Sequence, residues 1–284
     1  MTRIFACIDG SNAMTAVCDA AAWASATTEL PVTLLHVLEK NEFEGQADLS
    51  GNIGLGSREH LLKELAELDH QRSRLAHEQG RMLFKSGQAY LTGLGMTEVV
   101  DTLQRHGQLV EAAQELSPGM RMMIMGKRGT THSHDHDLIG SNIENVIRTL
   151  ANPIMVVQPG FEAPDRFLFA YDASPTAKKV LELIASSPLL KGLECDLVMV
   201  AEPSDEHERQ LAQAKQVLKS GGIRVEAKLL QGEVVSGICQ YATEMGINLI
   251  VMGAYGHSRI RQFIVGSTTT GIVKTTQASV LLLR

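Results

Sequence analysis

The closing stretch of the chain, residues 247–284, is INLIVMGAYGHSRIRQFIVGSTTTGIVKTTQASVLLLR. An apolar run from Ile247 to Met252 ends at Gly253; Gly256 follows, and after a loop Gly266, Ser267 and Thr268 open a segment able to be helical. A strand feeds a glycine loop, and the loop feeds a helix start. That order suits a phosphate group, because glycines let backbone N–H groups approach the anion and the free N–H groups of a helix's first turn complete the cradle. A weaker copy lies mid-chain. MMIMGKRG ends at Gly129, a histidine-rich loop follows, and Gly140, Ser141 and Asn142 open another segment of helical character.

Working outward from each copy, the same series of elements precedes both. Ile4–Ile8 runs into Asp9-Gly10-Ser11 and an alanine-rich helical stretch. VTLLHVL at 32–38 is β-branched and continuous, as a strand buried on both faces is. After a long loop, leucines recur at helical spacing from Arg58 to about Ser86; a strand at 98–103, a helix at 108–116 and strands at 120–125 and 153–157 complete the set. GNIGLG at 51–56 reads as a loop entering a helix, and His36 as a core histidine. The series restarts after Gln158-Pro159-Gly160, with Phe167–Tyr171 running into Asp172-Ala173-Ser174. We therefore expect two tandem Rossmann-like α/β domains, 1–160 and 161–284, each a parallel sheet flanked by helices. VLLLR at the end reads as an edge strand, open to pairing with a second copy.

Composition narrows the function classes. At 44% hydrophobic and 20% charged residues, without an apolar run near the roughly 20 residues a spanning helix needs, the chain reads as globular and not membrane-bound. The start, MTRIFACIDGSNAM, is too polar for a secretory signal, so a cytoplasmic location is expected. A net charge of −6 argues against nucleic acid as a partner. The four cysteines lack C-x-x-C spacing and read as buried free thiols.

Ligands of open parallel sheets bind beyond the carboxyl ends of the strands, where Asp9, Asp172 and both glycine loops fall. A carboxylate there can accept hydrogen bonds from a ribose or base, while Ser267 and Thr268 suit a polyphosphate, with His257 and Arg259 in the loop between. Taken singly, each glycine also serves a turn and each hydroxyl a helix cap.

The chain resembles the universal stress proteins in their tandem form. Gly253-x2-Gly256-x9-Gly266-Ser267-Thr268 matches the glycine pattern of the nucleotide-binding members without a gap, and Asp9 and Asp172 match their early aspartate. The resemblance implies a five-stranded parallel sheet per domain, an internal pseudo-dimer, and ATP, with Mg²⁺, as ligand. It also implies that backbone at the end of the second strand reads adenine, near Val200 and Ala201, with the adenosine beside Asp172 and Ala173. In the N-terminal half one residue is inserted before Gly140-Ser141 and Asn142 replaces the hydroxyl residue, so we expect the C-terminal half to be the main nucleotide site.

The inserted loop carries His132, His134 and His136 among acids, a run that can converge on Zn²⁺ or remain a solvated tract. A further small-molecule ligand in the N-terminal half is a second possibility. No P-loop and no nucleophile elbow is present, nor a convincing carboxylate pair to hold Mg²⁺ and activate water. The resemblance implies a nucleotide-binding stress-response sensor or regulator acting on a partner protein; the missing motifs leave at most slow ATP hydrolysis at the same site as an alternative, and a homodimer is a further possibility.

Overall fold

The computed structural model describes residues 2–38, 55–96, 100–127, 141–254 and 267–284. In the N-terminal half these form β1 (Arg3–Cys7), α1 (Met14–Thr28), β2 (Val32–Leu38), α2 (Leu55–Gly93), β3 (Asp101–His106), α3 (Leu109–Leu116), β4 (Met120–Gly126), α4 (Ser141–Thr149) and β5 (Ile154–Val157). The C-terminal half repeats the series as β6 (Arg166–Ala170), α5 (Pro175–Ala185), β7 (Glu194–Val200), α6 (Asp205–Ser220), β8 (Arg224–Leu230), α7 (Val234–Glu244), β9 (Leu249–Gly253), α8 (Ser267–Thr275) and β10 (Ser279–Leu283).

All ten strands join in one sheet, ordered β3-β2-β1-β4-β5-β10-β9-β6-β7-β8. Each half is parallel within itself, and the halves meet where β10 pairs antiparallel with β5, Val280 opposite Val156. This corrects the expectation of an open C-terminal edge: all five residues of β10 are buried between β5 and β9. The edge strands are instead β3 and β8. The paired order is that of two copies related by a two-fold axis, the geometry of an isologous dimer within one chain.

Alternation along the strands sorts the core into two layers. Ile4, Leu34, Phe167, Leu197 and Val251 face a layer completed by Ala20 of α1, Leu91 of α2, Val180 of α5 and Leu218 of α6. Phe5, Leu35, Leu168, Val198 and Ile250 face the other, completed by Ala113 of α3, Val146 of α4, Ile238 of α7 and Ile272 of α8. Both layers run through both halves, so the join buries a continuous core.

Most expected elements appear. The long helix extends beyond both expected ends and runs on to Gly93, which moves β3 to 101–106 from the expected 98–103. His36 is buried and bonds the Ile8 carbonyl through Nδ1 at 2.7 Å. Cys18, Cys195 and Cys239 are buried free thiols and Cys7 is half-buried; burial pushes Cys7 and Cys18 up to about 12.

Candidate functional site

In each half the chain reverses direction across the sheet between its first and fourth strands, between β1 and β4 and again between β6 and β9. Helices from opposite faces diverge there, leaving a crevice at the carboxyl ends. Ala170, near the end of β6, pairs with Val198 of β7 and Met252 of β9. Two residues further on, Asp172 therefore emerges between the ends of β7 and β9, at Val200 and Gly253.

The turn at this point is fixed locally. Asp172 Oδ1 accepts the Ser174 N–H at 3.0 Å, Ser174 Oγ accepts the Ala177 N–H at 3.1 Å, and Pro175 opens α5. Ala173, between them, is left-handed with φ of 56°, a conformation costing an alanine about 1–2 kcal/mol. The N-terminal half builds the same turn: Asp9 Oδ1 accepts the Ser11 N–H at 3.0 Å, and Gly10 takes φ of 75°. The aspartates thus shape the turns, and Asp172 is also exposed at the crevice.

Two differences distinguish the halves. In the first, Leu83 of α2 lies over the turn, so close that a Cβ on Gly10 would be 3.1 Å from its Cδ2. In the second, Ala173 occupies the corresponding place and Asp172 is open to solvent. The N-terminal half also differs at Lys127, whose buried ammonium donates to the Lys274 and Thr276 carbonyls at 2.8 and 3.1 Å.

Ser267 and Thr268 begin α8, where first-turn N–H groups have no acceptor within the helix. Gly253 serves packing: a Cβ there would lie 3.2 Å from Thr176 Cγ2, so the glycine lets the end of β9 lie against the first turn of α5. The Ala201 N–H is committed to the Leu230 carbonyl at 2.9 Å. Asp172, Ala173, Val200, Gly253, Ser267 and Thr268 are thus placed by the neighbouring ends of β6, β7 and β9 and the start of α8. Gly256, His257, Arg259 and Gly266 lie outside the described residues, as do His132, His134 and His136. Among the described residues no three His, Cys, Asp or Glu side chains group to hold a metal ion.

Sequence reasoning missed Gly271. A Cβ there would lie 2.9 Å from Val235 Cγ2, so this glycine sets how closely α8 approaches α7. A glycine inside an otherwise helical stretch is the one signal that pointed to it.

Comparison with known proteins agrees with this architecture. A universal stress protein of Synechocystis is 32% identical over 288 residues, covering the whole of both chains. The crystal structure of a universal stress protein from Archaeoglobus fulgidus, 19% identical, covers 99% of this chain and 98% of its own with a TM-score of 0.72, which establishes likeness of fold. Residues 1–158 and 197–284 match the family described as the Universal stress protein family. The chain belongs to the universal stress protein family.

Proposed function

We propose that the crevice at the ends of β6, β7 and β9 binds ATP or a related adenine nucleotide, with Mg²⁺, and that the protein works as a cytoplasmic regulator reading nucleotide state. One observation carries this reading: the exposed Asp172 turn and the start of α8 flank the point where strand order reverses in the C-terminal half. The ungapped glycine pattern from Gly253 to Ser267 supports it. Ser267, Thr268 and the N–H groups of the first turn of α8 would take the phosphates, and Asp172 the ribose or base. Bound nucleotide supplies a polyphosphate whose charge and hydrolysis state a partner can read. The N-terminal crevice is the lesser site, because Leu83 lies against Gly10 there.

Calorimetry with ATP tests the assignment. The intact chain is expected to bind one equivalent strongly; Asp172→Ala weakens it at least about tenfold, the loss of roughly one charge-assisted hydrogen bond, and Gly266→Val weakens it at least as much by obstructing close approach of backbone to the phosphates. Asp9→Ala leaves it unchanged. Equal binding by all four proteins, or loss only in Asp9→Ala, would overturn the placement.

A further inference from the structure

Helix α2 is far longer than the strands it connects. Its 39 residues span about 58 Å, against about 23 Å for the seven residues of β2. Its attachment to the body lies in its C-terminal part. Phe84 and Leu91 are buried in the core, Gln88 donates to the Val100 carbonyl at 2.8 Å, and Tyr90 donates to Asp19 at 3.0 Å. At His77 the helix reaches the carboxyl end of the edge strand, where His77 Nε2 and His106 Nε2 lie 3.1 Å apart. The part before His77 runs on past the sheet as an arm, and residues 63–68 and 70–75 are all exposed.

The outer face of α2 is apolar. Leu65, Leu68, Leu75 and Met82 are 51%, 49%, 65% and 65% exposed. Steps of three, seven and seven residues place them on one stripe of a heptad seam, with Arg72 and Gln79 between. Gly80, Phe84 and Leu91, which face the body, lie on a different side of the helix.

Charge along α2 is divided in two. Residues 55–69 carry Glu59, Glu64, Glu67 and Asp69 against Arg58 and Lys63, a net of −2. Residues 70–85 carry Arg72, Arg74, Arg81 and Lys85 against Glu78, a net of +3. Parallel pairing of two such helices would set like charge against like. Antiparallel pairing sets each acidic segment on the other's basic one, with the two-fold axis near residue 70.

We propose that this seam is a self-association surface, on which two copies of the chain pair their α2 arms antiparallel. The contact is isologous and closes at two. It lies beyond the carboxyl ends of the strands, clear of the β5–β10 join, and stands independently of the nucleotide reading.

Light scattering during size exclusion tests it on the full chain. The unaltered protein is expected at twice its monomer mass, and Leu68→Glu/Leu75→Glu at the monomer mass with unchanged circular dichroism. Two charge variants probe orientation without touching the seam's apolar residues. Glu64→Lys/Glu67→Lys makes the arm basic throughout, and Arg72→Glu/Arg74→Glu makes its centre acidic. Each alone is expected to dimerise at least about tenfold more weakly, and an equal mixture to form heterodimers. A cysteine replacing Glu64 is expected not to cross-link to its counterpart, because antiparallel pairing holds the two about 20 Å apart. A monomeric unaltered protein, a dimer that survives the leucine substitutions, no heterodimer on mixing, or an arm that instead recruits lipid vesicles to a monomeric chain would each overturn the proposal.

Discussion

Asp196 organises the amino-terminal end of the second half from a single buried carboxylate. It is 1% exposed and receives Arg166 Nε and Nη2 at 2.8 and 2.6 Å and the Tyr241 hydroxyl at 2.8 Å. In the first half Arg3 makes the corresponding reach, donating to Thr33 at 3.1 Å and pairing with Asp101. Replacing Asp196 by Ala leaves Arg166 and Tyr241 without their acceptor, and urea unfolding is expected to show a loss of about 3–5 kcal/mol. Burial, and then the hydrogen bond to Asp196, push the Tyr241 hydroxyl up to about 12. Because the fold holds the protonated form, this stabilisation is complete below tyrosine's ordinary value of about 10 and is lost as pH rises from there to about 12. A spectrophotometric titration should show one tyrosine ionising near 12 that Tyr241→Phe removes. The sequence made Asp9 and Asp172 legible, since each ends an apolar run and precedes a small residue and a serine. It gave no sign of Asp196, which looks like an interruption in ECDLVMV until Arg166 and Tyr241 are seen to converge on it.

Among elements, α8 carries the candidate phosphate site at its start, and its position depends on Gly271 further along. An alanine there gains about 1 kcal/mol of helix propensity but meets Val235, whose branched side chain in α7 has little freedom to turn aside. Overpacking of this kind costs about 1–3 kcal/mol. Gly271→Ala is therefore expected to lower stability slightly and to weaken ATP binding by shifting α8, measured by thermal unfolding and calorimetry; unchanged affinity would separate the helix position from the site. The expected strands and helices were largely legible from apolar runs bounded by glycine, proline and serine. The ends of α2 were not, because its C-terminal turns, SGQAYLTG, mix glycines with small residues. Packing overrides that weak local preference: Gly87 fits beneath Leu34 and Met14, and Leu91 is fully buried.

At the scale of the whole molecule, duplication was legible from repeated motifs, whereas the joining of the halves was not. VLLLR reads as an edge strand until β5 is placed beside it, and no local signal names that partner. The join is reinforced by cations exchanged between halves. Lys127 donates to carbonyls at the end of α8, Arg284 donates to the Ile147 carbonyl near the end of α4, and Lys274 pairs with Glu144 at 3.5 Å. Positive charge at a helix C-terminus complements its dipole as well as its carbonyls. Lys127→Met is expected to cost about 1–3 kcal/mol in urea unfolding, by leaving the Lys274 and Thr276 carbonyls without that donor. The exchange also ties Lys127, just beyond the end of β4, to the C-terminal end of α8, the helix that would hold phosphate in the second half. Hydrogen exchange of the intact chain with and without saturating ATP tests that assignment most directly. Slowed exchange is expected in peptides covering 172–175, 198–202 and 253–271, with 9–12 and 126–142 unchanged; protection confined to the N-terminal segments, or equal in both halves, would place the nucleotide elsewhere.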